Sequence, residues 1–254
     1  MTLIDTHCHL DVEAFDTDRD AVLSRCRDNG IEQIIVPGIT AHGWDKLIQT
    51  CTAHDGLHYA LGLHPVYTAQ HEEADLQRLQ ERVAKQRPLA IGEIGLDFYI
   101  DKPDKERQIH FFEAQLVIAR DHDLPVIVHV RKAHDQVLKS LKRIGVRGGT
   151  SHAFNGSLQQ ADQYIELGFK LGFGGMLTFE RSNKLRRLAR ELPLSSLVLE
   201  TDAPDMTVAS HRGERNSPEY LPEVLTSLAE VRGMDIDETA AATTHNAREL
   251  FGLP

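Results

Sequence analysis

Cysteine is scarce in this chain, and the three present, Cys8, Cys26 and Cys51, are odd in number and lack the paired spacing of a zinc knuckle or a redox motif. A disulfide-stapled scaffold is thereby excluded, and free thiols in a reducing compartment are expected. No stretch approaches the ~18 uncharged apolar residues that a membrane span needs. The N-terminus has no basic patch leading into an apolar run, so no signal peptide is visible and a cytosolic location is expected. Aromatic residues make up only 6% of the chain, and 28 basic against 38 acidic side chains leave a net charge of −10. That combination offers little of the basic, stacking surface of a tight single-strand binder, although a local cationic patch remains compatible with it. Low-complexity segments, Pro/Ser-rich linkers and composition breaks are also missing.

What is there begins with eight short runs rich in Val, Ile and Leu, at 3–7, 33–37, 59–63, 89–92, 125–130, 149–152, 169–172 and 197–201. Most are continuously apolar, as parallel strands covered on both faces require, and every gap between them is long enough for a crossover helix. The gaps carry helical spacing: Leu76, Leu79 and Val83; Phe112, Leu116 and Ala119; Leu221, Val224, Leu225, Leu228 and Val231. Ser157 with Gln160 fits a capping box, and Ser217 before Pro218 fits a cap with a first-turn proline ahead of the last long helix. Gly30, Gly145, Gly168 and Gly233 fall where helices end in a left-handed residue. Eight strand–helix units in 254 residues predict a single-domain (β/α)8 TIM barrel over 1–254, with an open doubly wound sheet as the alternative.

Histidine is abundant, with 14 residues. In a barrel the chemistry gathers at the C-terminal strand ends, and polar residues fall there: His7 and His9 after the first strand, Glu93 after the fourth, His129 ending the fifth, His152 ending the sixth and Asp202 after the eighth. Residues two apart in an extended segment share a side, so His7 and His9 reach one ion while Cys8 points away. Four imidazoles and two carboxylates exceed one tetrahedral ion and suit two divalent cations with a bridging carboxylate. Glu93 is the expected bridge, with His7, His9 and Asp202 on one cation and His129 and His152 on the other. A shared activated water is the expected attacker, and Asp202 is expected to orient or deprotonate it.

The run Leu3-Ile4-Asp5-Thr6-His7-Cys8-His9-Leu10-Asp11 resembles the opening signature of the TatD family of metal-dependent hydrolases. Pro125 through Asp135 resembles its second signature and Leu197 through Pro204 its third. Segments 62–65, 92–97 and 212–218 are also similar to the family, so the likeness spans nearly the whole chain. It implies a (β/α)8 fold, divalent-metal dependence and phosphodiester hydrolysis with nuclease activity on DNA, here an exonuclease-type DNase acting on a DNA end or a small phosphoester.

Further candidates surround this set. His64, expected to end the third strand, fits substrate contact, bracing of a ligand, or a structural His-Pro turn. Glu200 is placed to hold a ligating imidazole from behind. Arg131, Arg212 and Arg215 are candidates for gripping phosphate, Arg131 foremost because it lies two residues beyond His129. Gly172-Phe173-Gly174-Gly175 reads as a tight strand-end turn and not a phosphate loop, and Arg181, Lys184, Arg186 and Arg187 as an exposed helix face. His42, His54, His71, His122 and His245 read as surface or packing residues, with His134 and His211 ambiguous. Imidazole-rich ligation suits Zn or Mn, whereas the resemblance implies Mg. No protein partner is expected. A second reading is a C–N or C–O hydrolase of the amidohydrolase type; Glu93 weighs against it, since many binuclear members of that group bridge through a modified lysine. A third is a non-catalytic metal-binding barrel.

Overall fold

A computed structural model describes residues 1–254. Eight strands follow one another around a single sheet, every neighbouring pair parallel: β1 (Leu3–Asp5), β2 (Ile31–Pro37), β3 (Leu57–Leu61), β4 (Ala90–Asp97), β5 (Val126–Arg131), β6 (Gly149–Ser151), β7 (Phe169–Phe173) and β8 (Leu197–Leu199). Helices α1 (Arg19–Asp28), α2 (Trp44–Ala53), α3 (Glu73–Gln86), α4 (Lys105–Asp121), α5 (His134–Ile144), α6 (Leu158–Glu166), α7 (Asn183–Glu191) and α8 (Leu221–Arg232) alternate with the strands, and α9 (Ile236–Phe251) follows. This is the (β/α)8 barrel, and all eight expected strands are present. No helix is long and apolar enough to cross a membrane.

The ring is nearly closed, because β8 and β1 form no regular ladder. Their chain continuations are joined by single bonds instead: Thr6 N to Leu199 O at 3.0 Å, Asp202 N to His7 O at 2.8 Å and His9 N to Ala203 O at 2.8 Å. The buried Asp5 carboxylate completes the seam, accepting from His7 N at 3.1 Å, Thr201 N at 3.0 Å and Thr201 Oγ1 at 2.5 Å. The two segments that carry His7 and Asp202 are thus tied to each other.

A cluster of 56 buried apolar residues lies largely between strands and helices. The opposite end of the barrel from the mouth has its own plug. Leu250 and Phe251 of α9 pack on Ile35, Ala60, Ala90 and Ile127, while Ala247 packs on Ile4 and Val198. The barrel is therefore blind at its floor. Local signals behaved as their chemistry demands: Ser157 and Gln160 form the reciprocal capping box at 3.1 and 2.9 Å, and Gly30, Gly145, Gly168 and Gly233 all have positive φ.

Three expectations need correction. Glu93 lies inside β4 and not after it, because the strand runs on to Asp97 through a register shift between Ile91 and Ile94. His64 sits three residues past β3, capping a short 3-10 turn that begins at Pro65. Ser217 caps nothing with its side chain, and Pro218 opens a one-turn 3-10 segment before α8. The last long helix is α9, begun by Asp235, whose carboxylate accepts from Asp237 N and Glu238 N.

Candidate metal centre

The register shift in β4 turns Glu93 into the barrel axis, where its backbone N–H reaches past β3 to Gly38 O at 2.9 Å. The close approach requires a residue without a side chain at Gly62, where a Cβ would lie 2.5 Å from Gly92 C. Glu93 ends up 1% exposed at the centre of an acceptor-rich group.

Its two oxygens face different partners. Glu93 Oε2 lies 3.3 Å from His7 Nε2 and 3.4 Å from His9 Nε2, and Asp202 Oδ1 lies 3.5 and 3.6 Å from the same two nitrogens. Glu93 Oε1 lies 3.1 Å from His129 Nδ1, 3.5 Å from His152 Nε2 and 3.2 Å from His64 Nε2. All six sequence-inferred donors therefore meet at one mouth, in overlapping groups with metal-ligand spacing: His7, His9 and Asp202; His7, Glu93 and His152; and Glu93, His129 and His64.

Electrostatics in this cluster are those of imidazoles and carboxylates crowded into one buried volume: burial pushes His9 down, yet the nearby Glu93 and Asp202 lift it to about 9. Burial pushes the Glu93 carboxyl up, yet the imidazoles of His64, His7, His152 and His129 outweigh it and hold the group well below the usual carboxylate range. Burial and the neighbouring His152 drive His7 well below its ordinary value, which leaves it neutral with a lone pair to offer. His152 is lifted to about 10, because Asp202, Glu200 and Glu93 overcome the effect of burial. Burial raises Asp202 to about 6 against the pull of His152 and His9. His7 Nε2 and His9 Nε2 converge to 3.3 Å, and one proton at most can lie between them. Two imidazoles and two carboxylates aimed at the same small volume are the donor set that one divalent cation satisfies.

The imidazoles are held from behind. His129 Nε2 is 3.1 Å from Asp97 Oδ2, and Asp97 is fixed by Tyr99 N to Oδ1 at 2.9 Å. His152 Nδ1 is 3.2 Å from Glu200 Oε1, which accepts a 2.6 Å hydrogen bond from Ala153 N. Glu200 fits only because position 172 is glycine, where a Cβ would lie 2.1 Å from Glu200 Oε2. His64 Nδ1 accepts from Val66 N at 3.2 Å, so its proton sits on Nε2, which faces Glu93 Oε1 at 3.2 Å. His64 braces the carboxylate from the tautomer opposite to that of a ligand at the same nitrogen.

The cluster floors a cavity of about 720 Å³. His64 and Arg131 line it; Arg212 and Arg215 do not. Arg215 is spent on a paired contact with Asp18 at 2.9 and 2.7 Å and stacks on Phe15, which removes it from substrate. Arg212 is exposed outside the cavity. The other wall is apolar, with Phe154, Phe173, Met176, Leu177, Leu185 and Met206. The sequence reading missed Asp97 and Tyr99, although Glu93, Gly95, Asp97 and Tyr99 alternate along one strand and its continuation. His134 is buried between Tyr164 and Asn155, and His211 stacks on Tyr220; neither joins the donors.

The model of the TatD related DNase family matches residues 4–252. The chain belongs to the TatD family. An uncharacterised metal-dependent hydrolase of Escherichia coli K12, YjjV, is 41% identical over 254 residues, covering 99% of this chain and 98% of the relative. The crystal structure of that TatD homologue superposes with a TM-score of 0.96. An Erwinia amylovora protein named 3'-5' ssDNA/RNA exonuclease TatD is 32% identical, covering 99% of this chain and all of the relative. A TatD family hydrolase from Entamoeba histolytica, at 21% identity and a TM-score of 0.89, shares the fold. As a TatD protein, this chain is a metal-dependent hydrolase with candidate metal-binding His, Glu and Asp groups in the family's barrel.

Proposed function

We propose that this TatD protein cleaves phosphodiester bonds at nucleic-acid ends, DNA foremost, as an exonuclease-type enzyme with a pair of divalent cations. The observation that carries this reading is the division of Glu93, one oxygen toward His7 and His9 and the other toward His129 and His152. In that assignment His7, His9 and Asp202 hold one cation, His129 and His152 the other, and Glu93 bridges them. Bound there, the cations would lower the pKa of a water and neutralise charge on the phosphoryl group.

The chain's own groups do the rest. Asp97, Glu200 and His64 keep the donors aimed, so little reorganisation accompanies binding. Asp202 is the more accessible of the two central carboxylates, its side chain 15% exposed against 2% for Glu93, and faces the cavity. It is positioned to orient the attacking water and to take its proton at Oδ. The plugged floor bars a strand from threading through the barrel, and about 720 Å³ admits an end of one or two nucleotides. The relatives named 3'-5' ssDNA/RNA exonuclease support a nucleic-acid substrate.

The test is metal analysis of purified protein combined with turnover of a panel of oligonucleotides, small phosphodiesters, carboxylic esters and amides. Two cations per chain and preferential phosphodiester cleavage are expected; turnover confined to amides or esters overturns the reading. Asp202→Asn should lower kcat by roughly 100-fold or more if Asp202 moves the proton. Full turnover with both cations retained would refute that role.

A further inference from the structure

Beyond the donor cluster, β4 and β5 run in register, pairing Gly95 with His129 and Asp97 with Arg131. Alternate residues share a side, so His129 and Arg131 point the same way along β5, as do Glu93, Asp97 and then Tyr99 along β4 and its continuation. One such step is about 7 Å along a strand, which places Arg131 and Tyr99 one layer farther out than the imidazole of His129.

The Arg131 guanidinium carbon lies over the Tyr99 ring, 4.0 Å from its centroid. Asp97 is the carboxylate beside it in the ladder, but its two oxygens are committed to His129 Nε2 and Tyr99 N–H. Arg131 is in no ion pair, unlike Arg215, which is tied to Asp18. Nearby cations are also engaged: Lys184 Nζ donates to Asn155 O, and Arg186 donates to Leu177 O at 3.2 Å. Among the residues lining the cavity Arg131 is the sole lysine or arginine. Tyr99, which supports it, is 60% exposed, a large aromatic side chain left in solvent beneath the guanidinium. An unpaired planar cation, held in place by an aromatic ring in a chain of net charge −10, is a preformed anion contact.

Resting on the phosphodiesterase reading above, we infer that Arg131 on Tyr99 forms a second anion subsite, which takes the phosphate next to the scissile one. The scissile group belongs at the donor cluster, where cations neutralise it. The Tyr99 ring retains the guanidinium at the outer layer, so its hydrogen-bond donors meet the adjacent phosphate of a strand end. The site then distinguishes substrates by a second phosphate and requires no extended basic groove.

The experiment compares three substrates with the metal-loaded full chain: TpTpT, whose every scissile bond has a neighbouring phosphate, TpT, which has none, and bis(p-nitrophenyl) phosphate. The native protein is expected to favour TpTpT over TpT in kcat/KM by roughly tenfold, the scale of one charge-assisted hydrogen bond. Arg131→Gln should erase that preference through KM, losing roughly tenfold more on TpTpT than on the other two, with Arg131→Lys intermediate. Tyr99→Leu, which removes the support and spares the charge, should reduce the preference in the same direction. Calorimetric binding of TpTpT and TpT to the Asp202→Asn protein, with and without Arg131→Gln, should show the same difference without turnover. Equal losses on all three substrates would assign Arg131 to the scissile phosphate and overturn the subsite, as would a native protein that treats TpTpT and TpT alike. Failure to cleave any of the three, while esters or amides turn over, would instead overturn the phosphodiesterase reading.

Discussion

Asp97 and Glu200 act on the proposed cations through other residues. Each is almost fully buried, lies 3.1–3.2 Å from an imidazole nitrogen and accepts from a backbone N–H, so the carboxylates behind the rings are fixed before any ligand arrives. Removing the charge while keeping the shape should therefore weaken metal binding more than folding. Asp97→Asn and Glu200→Gln are each expected to lower metal affinity by roughly 10- to 100-fold, read by competition with a chromophoric chelator, while the circular dichroism of the protein stays unchanged. Gly172→Ala should act like Glu200→Gln, since the added methyl would occupy the carboxylate's place. Much of this was legible. The ligands fall within or just past their strands, His7 and His9 as a His-x-His pair, and Asp97 shares the alternation of Glu93. Which carboxylate serves which ring was not, because β4 and β5 come together only in the sheet, as β6 and β8 do across the barrel.

Helix α4 shows how an element at a distance sets the site. Two buried glutamines, seven residues apart on one face, replace missing ladder bonds. Gln108 accepts from Asp97 N and donates to Asp97 O, both at 2.9 Å, and Gln115 accepts from Leu63 N at 2.7 Å and donates to Leu63 O at 3.2 Å. The first clamps the residue behind His129, the second the residue before His64. Gln115→Leu would strand a buried N–H and C=O, and a loss of roughly 1–3 kcal/mol in urea unfolding is expected, with a matching fall in turnover. At α3, Asp75 accepts from Glu72 N at 2.9 Å and pairs with Arg78. Burial pushes its carboxyl up, but these two contacts prevail and hold it below the ordinary value. Because the folded-state pKa is depressed, this contribution is present above the unfolded value near 3.9 and is lost as pH falls through the folded one. Asp75→Asn should therefore cost about 0.5–2 kcal/mol at pH 7 and progressively less below about pH 4, measured by thermal melts across pH.

At the scale of the molecule, the barrel confines several like-charged and acceptor groups at one end and seals the other with α9. A cation that binds only the folded chain adds stability by mass action. Stripping metal with a chelator is expected to lower Tm by roughly 5–10 °C, the shift for about 2.7 kcal/mol in a domain of this size, and metal added back should restore it. An unchanged melting temperature would contradict a metal centre built from these residues.

From the amino-acid order alone came the eight strand–helix units, several helix ends and the six candidate ligands, because each of those is written in local periodicity, capping chemistry or position along a strand. The tertiary structure alone decided the rest: the plug formed by α9, the seam held by Asp5, the place of Asp97 behind His129, which imidazole Glu200 serves, and the removal of Arg215 from the mouth. Those depend on contacts between residues tens to hundreds of positions apart. Barrel closure brings them within hydrogen-bonding distance, and no local pattern encodes it.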